Sequence, residues 1–199
     1  MPKILLEKEA FNLLRKYKIP TADYKVVSSE GQLEALKFPA VLKAISPRII
    51  HKTEAGAIKI VNNLIEAKAA FKKLKSLGQV LAQDFVKGRE TIIGIKYDQT
   101  FGPCIMFGLG GVLVEVLHDV SFRVCPITTH DAQQMIKEIK SYAVLKGVRG
   151  AKSINFKVLE NTLLKVSQLA LKEKISELDI NPFIVNDRQG FAVDVRIMK

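Results

Sequence analysis

The chain has 199 residues, with 31 Lys and Arg against 20 Asp and Glu for a formal net charge of +11, 48% hydrophobic residues and only 12 Gly and 7 Pro. That composition excludes disordered, collagen-like and low-complexity architectures, and the length suits one compact domain or two small lobes around a buried core. No apolar run approaches the roughly 20 residues that span a bilayer, and Glu7 interrupts the amino terminus before a secretory signal could develop. The chain therefore reads as cytoplasmic, with no membrane partner. Cys104 and Cys125 are too few and too far apart for a disulfide framework or a tetrahedral zinc site, and lie in strand-like apolar runs as buried thiols would. The positive charge leaves three readings: a polyanion such as nucleic acid, a phosphorylated small ligand, or a lysine-coated surface.

Ala10, Leu13, Leu14 and Tyr17 predict a helix over 7–17, stopped by Pro20. A short strand follows at Val26 and Val27, and Ser29 with Gln32 forms a capping-box pattern that opens a brief helix through Leu36. Residues 38–45 read as a buried strand carrying one charge, Lys43. An irregular stretch over 46–56 and a strand over 57–61 come next. Lys68, Lys72, Lys73 and Lys75 mark the solvent face of an amphipathic helix over 65–77, ended by Gly78. Strands are expected at 80–86, 91–97, 104–107, 112–117 and 121–127, and helices at 131–140 and 156–172. The chain closes in a hairpin of 175–185 and 191–197 around a turn at 186–190. Short loops between successive strands argue for an α+β chain with largely antiparallel sheets, divided into lobes 1–78 and 79–199 and hinged near 78–83.

Several residues could carry chemistry. Burial of Lys43 among Val41, Leu42, Ala44 and Ile45 requires a partner, either a carboxylate or a ligand phosphate. Gly108, Gly110 and Gly111 could let backbone N–H groups approach an anion or could simply form a tight bend; no Walker lysine follows them. His51 lies in a loop with Arg48, Lys52, Thr53 and Gly56, where a histidine by itself is ordinarily solvated; His118 and His130 receive no role. Alternation places Glu177, Asp179 and Asn181 on one face of a strand, and the terminal hairpin can bring Asp194 beside Asn181. Such oxygen donors suit Mg²⁺, although they would also suit a solvated sheet face. A strand lysine, a glycine loop, Arg123 and these donors together are what nucleotide phosphoryl transfer needs.

The order of motifs resembles a known family over nearly the whole chain. The motifs are Val41-Leu42-Lys43, Ser46-Pro47 to His51-Lys52-Thr53, Gly88-Arg89-Glu90-Thr91-Ile92-Ile93-Gly94, Phe101-Gly102-Pro103 to Phe107-Gly108-Leu109-Gly110-Gly111, Val114-Glu115-Val116-Leu117 to Asp119-Val120-Ser121-Phe122-Arg123, Gly147-Val148-Arg149-Gly150 and Leu178-Asp179-Ile180-Asn181-Pro182. They look like those of the β subunits of ADP-forming acetyl-CoA (acyl-CoA) synthetases, ATP-grasp domains related to the succinyl-CoA synthetase β subunit. The resemblance implies an ATP-grasp fold of two lobes with a nucleotide cleft between them. It implies an acid–thiol ligase that interconverts acyl-CoA, ADP and phosphate with acid, CoA and ATP, and requires Mg²⁺. A CoA-binding α subunit, in an α2β2 heterotetramer, would supply the rest of the reaction.

By position, the resemblance makes His51 a second phosphorylated histidine that relays the phosphoryl group to ADP, with Arg123 contacting the transferring phosphate. It makes Lys43 a phosphate contact and places Gln83, Phe85 and Val86 at the hinge that faces adenine. Glu90, Gly110, Gly111 and Glu115 join the nucleotide-binding set, and Asn181 and Asp194 become the Mg²⁺ ligands, with Asp179 nearby. The stretch 151–155 departs from relatives in lacking prolines and Asp, a change that Asn155 absorbs if it acts as a helix cap. The rival readings are a succinyl-CoA-synthetase-like ligase subunit for another acid and a non-catalytic nucleotide or polyanion module. With no Trp and 7% aromatic residues, a nucleic-acid stacking platform is not expected. Most of the charge is then a lysine coat on helix faces, with a few cations kept for polyphosphate.

Overall fold

The computed structural model describes residues 4–46, 55–110, 119–148 and 150–199. Two compact units result, one formed by residues 22–86 and the other by 1–21 together with 87–199.

In the smaller unit, β1 (Tyr24–Val27), a 3-10 turn (Glu30–Ala35), β2 (Ala40–Ile45), β3 (Ile58–Val61), α2 (Leu64–Lys75) and β4 (Gln79–Asp84) follow in chain order. The sheet order is β1-β4-β2-β3, and every pairing is antiparallel. Gln32 Oε1 accepts the Ser28 and Ser29 amides, as the capping pattern predicts. Asn63 caps α2 by accepting the Glu66 amide at 2.9 Å. Leu42, Ala44, Val80 and Ala82 turn one sheet face toward Ala67, Phe71 and Leu74 of the helix, giving this unit its own core. Gly78 immediately precedes β4, where a Cβ would lie 2.3 Å from the Ile45 carbonyl oxygen, so only glycine fits.

The larger unit holds α1 (Glu7–Lys16), β5 (Arg89–Asp98), β6 (Gly102–Leu109), β7 (Val120–Val124), α3 (Thr129–Glu138), α4 (Tyr142–Lys146), α5 (Phe156–Lys172), β8 (Glu177–Val185), β9 (Gly190–Ala192) and β10 (Arg196–Met198). Its sheet runs β10-β8-β5-β6-β7, with β9 also beside β8. Paired residues share a face, so Ile95, Ile105 and Leu178 form one row, and Ile93, Phe107, Ser121 and Ile180 another. This face meets the helices. Ser121 Oγ donates to the Met135 carbonyl of α3 at 2.9 Å, and Ser167 of α5 accepts the Ile127 amide at 3.0 Å. Asn155 caps α5 by accepting the Val158 amide at 3.3 Å, so the departure at 151–155 leaves the helix start intact.

Three sequence expectations change. The boundary at residue 78 moves to 86, because β4 pairs with β1 and β2. Residues 1–21 belong with the larger unit, because the Leu5 amide bonds Ile197, Ile4 bridges Met198 and the Ala192 amide bonds the Pro20 carbonyl. The terminal hairpin returns as two short strands, β9 and β10, rather than one. The expected strand at 112–117 lies outside the described residues.

Glu173, at the end of α5, ties the larger unit together. Its carboxylate accepts from Lys16 Nζ at 2.8 Å, Tyr17 OH at 2.9 Å and Lys199 Nζ at 2.7 Å. The Lys16 bond first, then those of Lys199 and Tyr17, hold this carboxyl well below the usual range, at about 2. A depressed folded value means stabilisation that is complete above the unfolded value and disappears as the pH falls through the folded one. Glu173→Gln should therefore cost about 1 kcal/mol at neutral pH, and this difference should shrink between pH 4.5 and about 2. Denaturant unfolding of both proteins across that range checks it.

Candidate functional site

In the smaller unit, strand alternation sends Leu42 and Ala44 into the helix-packed core and Lys43 to the other face of β2. Lys43 pairs with Leu81 and Ile58, while Val41 pairs with Gln83, so Lys43 and Gln83 are diagonal neighbours on one face. Each is 3% exposed. Burial at that level is what the sequence required a partner to explain. Phe85 and Val86 follow β4, the first exposed and the second half-buried. His51 falls in 47–54, outside the described residues, as do Gly111 and Glu115.

In the larger unit, Gly110 lies against β5. Its amide donates to the Glu90 carbonyl at 2.7 Å, and a Cβ there would come within 3.0 Å of the Glu90 backbone. Gly108 likewise sits where a Cβ would be 2.9 Å from the Asp119 carbonyl oxygen. Close approach of neighbouring strands thus explains both glycines, and it fixes Gly110 and Glu90 side by side with the Glu90 side chain exposed.

The acidic strand end is the best-defined cluster. The register runs without a slip from Ala192 opposite Phe183 to Arg196 opposite Asp179, which sets Asp194 opposite Asn181. Between those pairs lies an irregular stretch in which the Val193 amide donates to the Pro182 carbonyl at 3.2 Å. On its other side β8 is bulged against β5 between Thr91 and Ile93, and Asn181 is exposed there. A bulge of this kind re-aims a side chain out of the ladder. Asp179 shares the open face. Burial first, then the charges of Asp194 and Glu177, push its carboxyl up to about 6, against a smaller opposing pull from Arg196. Asp194 Oδ1 accepts the Val195 amide at 2.9 Å.

Among the described residues, no three His, Cys, Asp or Glu side chains converge as a metal cage. One carboxylate and one amide oxygen on facing strands, in a field of crowded negative charge, fit Mg²⁺, which takes few protein ligands and completes its shell with phosphate and water. A divalent cation would also offset the charges of Asp194 and Glu177 beside Asp179.

Arg123 is placed differently from the sequence expectation. It pairs with Ile105, which pairs with Ile95 and so shares the row of Leu178 on the helix-packed face. Asp179, Gly94, Met106 and Phe122 form the row on the opposite face. The Arg123 guanidinium donates to Glu138 of α3 and to the Phe122 carbonyl, and the Glu138 bond raises its already high pKa. The structure therefore does not bring Arg123 to the Asn181 and Asp194 face. Alternation showed that Ser121 and Arg123 share a side, but not that α3 would cover that side.

The sequence also gave no weight to Asp119, which is 7% exposed and accepts the amides of Lys140 and Ser141 at 2.6 and 2.7 Å. The hint was an acidic residue at the mouth of an apolar strand.

A sequence profile of the ATP-grasp domain matches residues 2–198. The chain is 43% identical to the acetate–CoA ligase (ADP-forming) I β subunit of Pyrococcus furiosus, covering 98% of this chain and 91% of that one. It is 40% identical to the 4-hydroxybutyrate–CoA ligase (ADP-forming) of Nitrosopumilus maritimus, covering 97% of this chain but only 30% of that protein. The fold superposes on the acetyl-coenzyme A synthetase 1 of Ca. Korarchaeum cryptofilum, solved with coenzyme A and Ca-AMPCP, with a TM-score of 0.92 at 36% identity over 98% of this chain and 93% of that one. A second structure of that enzyme holds coenzyme A and Mg-AMPPCP, with its phosphohistidine segment pointing towards the nucleotide-binding site. Matched by the ATP-grasp profile over residues 2–198 and 43% identical to an ADP-forming acetate–CoA ligase β subunit, the chain belongs to the ATP-grasp domain family and, within it, to the ADP-forming acid–CoA ligases.

Proposed function

We propose that this chain is the nucleotide-binding β subunit of an ADP-forming acid–CoA ligase, acting in the cytoplasm with a CoA-binding α subunit in an α2β2 assembly. The observation that carries this reading is the match to a separately encoded β subunit along nine tenths of its length, at 43% identity. Relatives named for acetate and for 4-hydroxybutyrate lie at similar identity, so the reading covers the acid–CoA ligase reaction, with acetate as the acid to test first.

In this reading the phosphoryl group passes from a histidine of the partner to His51 and then to ADP. An oxygen of the ADP β-phosphate attacks phosphorus, the P–N bond breaks, and the electron pair returns to the imidazole nitrogen. Lys43 neutralises phosphate charge from a buried strand position. Gln83, Phe85 and Val86 hold the adenine, and Glu90, Gly110, Gly111 and Glu115 complete the nucleotide wall. Asn181 and Asp194 would hold Mg²⁺, which supplies charge neutralisation for the polyphosphate. Arg123, paired with Glu138 on the far face, is read as anchoring α3 to β7.

Mixed with its partner subunit, acetyl-CoA, phosphate, Mg²⁺ and ADP, the chain should form ATP, and neither subunit should do so alone. Lys43→Met keeps most of the buried volume and removes the charge, and it should weaken ADP binding by about 10- to 100-fold. If Lys43 serves only a structural ion pair, the variant will lose stability and bind ADP as tightly as before. Calorimetric ADP titration beside a thermal melt distinguishes the two.

A further inference from the structure

The larger unit has a groove of about 460 Å³, lined by Lys87, Arg89, Lys152, Ile154, Val185 and Asp187, between the start of β5, the turn after β8 and the approach to α5. That volume is in the range of small-ligand pockets. Its walls are held by the side chain and backbone of Asn186. Asn186 Nδ2 donates to the Lys87 carbonyl at 3.0 Å, Asn186 Oδ1 accepts the Arg188 and Gln189 amides at 3.0 Å, and the Asn155 amide donates to the Asn186 carbonyl at 2.7 Å. Gly88 lets β5 close on Val185, whose carbonyl oxygen would lie 2.5 Å from a Cβ.

The charge of the groove is one-sided. Lys152 pairs with Asp187 at 3.1 Å, whereas neither Lys87 nor Arg89 forms an ion pair among the described residues. The 17-residue helix α5 begins next to it with no acidic residue in its first turn, while α1, α2 and α3 each have at least one. Its positive pole therefore adds to the cations instead of being offset. Three cations against one carboxylate exceed what a carboxylate ligand needs, and the planar arginine fork matches a phosphate. Arg89 pairs with Val185 on the face that Thr91 and Phe183 continue toward the helices, so the groove opens on the opposite side of the sheet from Asn181 and Asp179.

We propose that this groove is a second anion site, on the other side of the sheet from Asp179, that takes a phosphate group as inorganic phosphate or as the monoester of a small molecule. The inference does not depend on the ligase reading. Lys87 and Arg89, which form no ion pair among the described residues, bind the anion, and Lys152 exchanges Asp187 for the ligand.

The test titrates the whole chain at low salt with inorganic phosphate and, separately, with methyl phosphate, following binding by calorimetry. The wild type should bind at least one of them, with methyl phosphate binding as well as phosphate if monoesters are the ligand and more weakly if the free ion is. The double variant Arg89→Gln/Lys152→Gln should bind at least 10-fold more weakly, and Lys152→Gln alone about 3-fold, with unchanged melting temperatures. Lys43→Met should leave this binding intact, and the double variant should keep its affinity for Mg²⁺ and ADP, which reads the nucleotide site separately. No phosphate binding by the wild type, equal binding by the double variant, or loss of phosphate binding in Lys43→Met would each overturn the proposal.

Discussion

Asp194→Asn is expected to lower ATP formation at least about 100-fold and to raise the Mg²⁺ concentration needed for half-maximal rate by at least about 10-fold, with little change in melting temperature. The register of β9 and β10 against β8 sets Asp194 opposite Asn181, where the pairing is irregular and β8 is bulged. The amide variant keeps the size of the side chain and removes the charge that a hard dication prefers. The neighbourhood is already crowded, since the charge of Asp194 helps push the Asp179 carboxyl up to about 6. If this face were merely solvated, removing one negative charge would relieve repulsion, raise stability slightly and leave the rate within about 3-fold. Rates measured over a Mg²⁺ series for both proteins, with melting curves, decide between the two.

The second large effect is on stability. Asp119→Ala should cost about 3 kcal/mol, from the loss of two charge-assisted bonds to backbone amides, and should lower the melting temperature by about 6–12 °C. Asp119 is 7% exposed, and its oxygens accept the amides of Lys140 and Ser141, which join α3 to α4. Burial pushes its carboxyl up, yet the bonds from Ser141 and Lys140 outweigh that and hold it below the ordinary range. Asp119→Asn keeps one accepting oxygen and should lose about half as much. Equal stability of the alanine variant and the wild type in denaturant unfolding would show that solvent replaces these bonds without cost.

Local pattern carried much of the architecture. Alternation around Lys43 set it apart from Leu42 and Ala44, and the strand places it on the face away from the helix. The hairpin turn at 186–190 fixed the register that joins Asn181 to Asp194, because a side-chain period of two leaves no other pairing once the turn is set. Asn155 capped its helix as its residue type allows.

What local pattern could not supply was long-range pairing. The amino-terminal helix reads as the start of the first lobe, and long-range bonds assign it elsewhere: those of Leu5 and Pro20 to residues 197 and 192, and those of Lys16 and Tyr17 to Glu173. The helix at Tyr142–Lys146 has five residues, too short for a period to show. In β7 the apolar and polar sides are inverted relative to the usual rule. Phe122 and Val124 are 56% and 47% exposed, while Ser121 and Arg123 face the helices and bond Met135 and Glu138. A reader of alternation would bury Phe122 and leave Arg123 free for a ligand.

The central claim is that this chain passes a phosphoryl group from histidine to ADP. The direct measurement is a single turnover with the CoA-binding partner, acetyl-CoA, Mg²⁺ and radiolabelled phosphate, followed by an ADP chase. The account predicts an acid-labile label on His51 that moves into ATP, and in His51→Ala no such label and ATP formation reduced by about 1,000-fold or more. ATP formed by His51→Ala at the wild-type rate would contradict it.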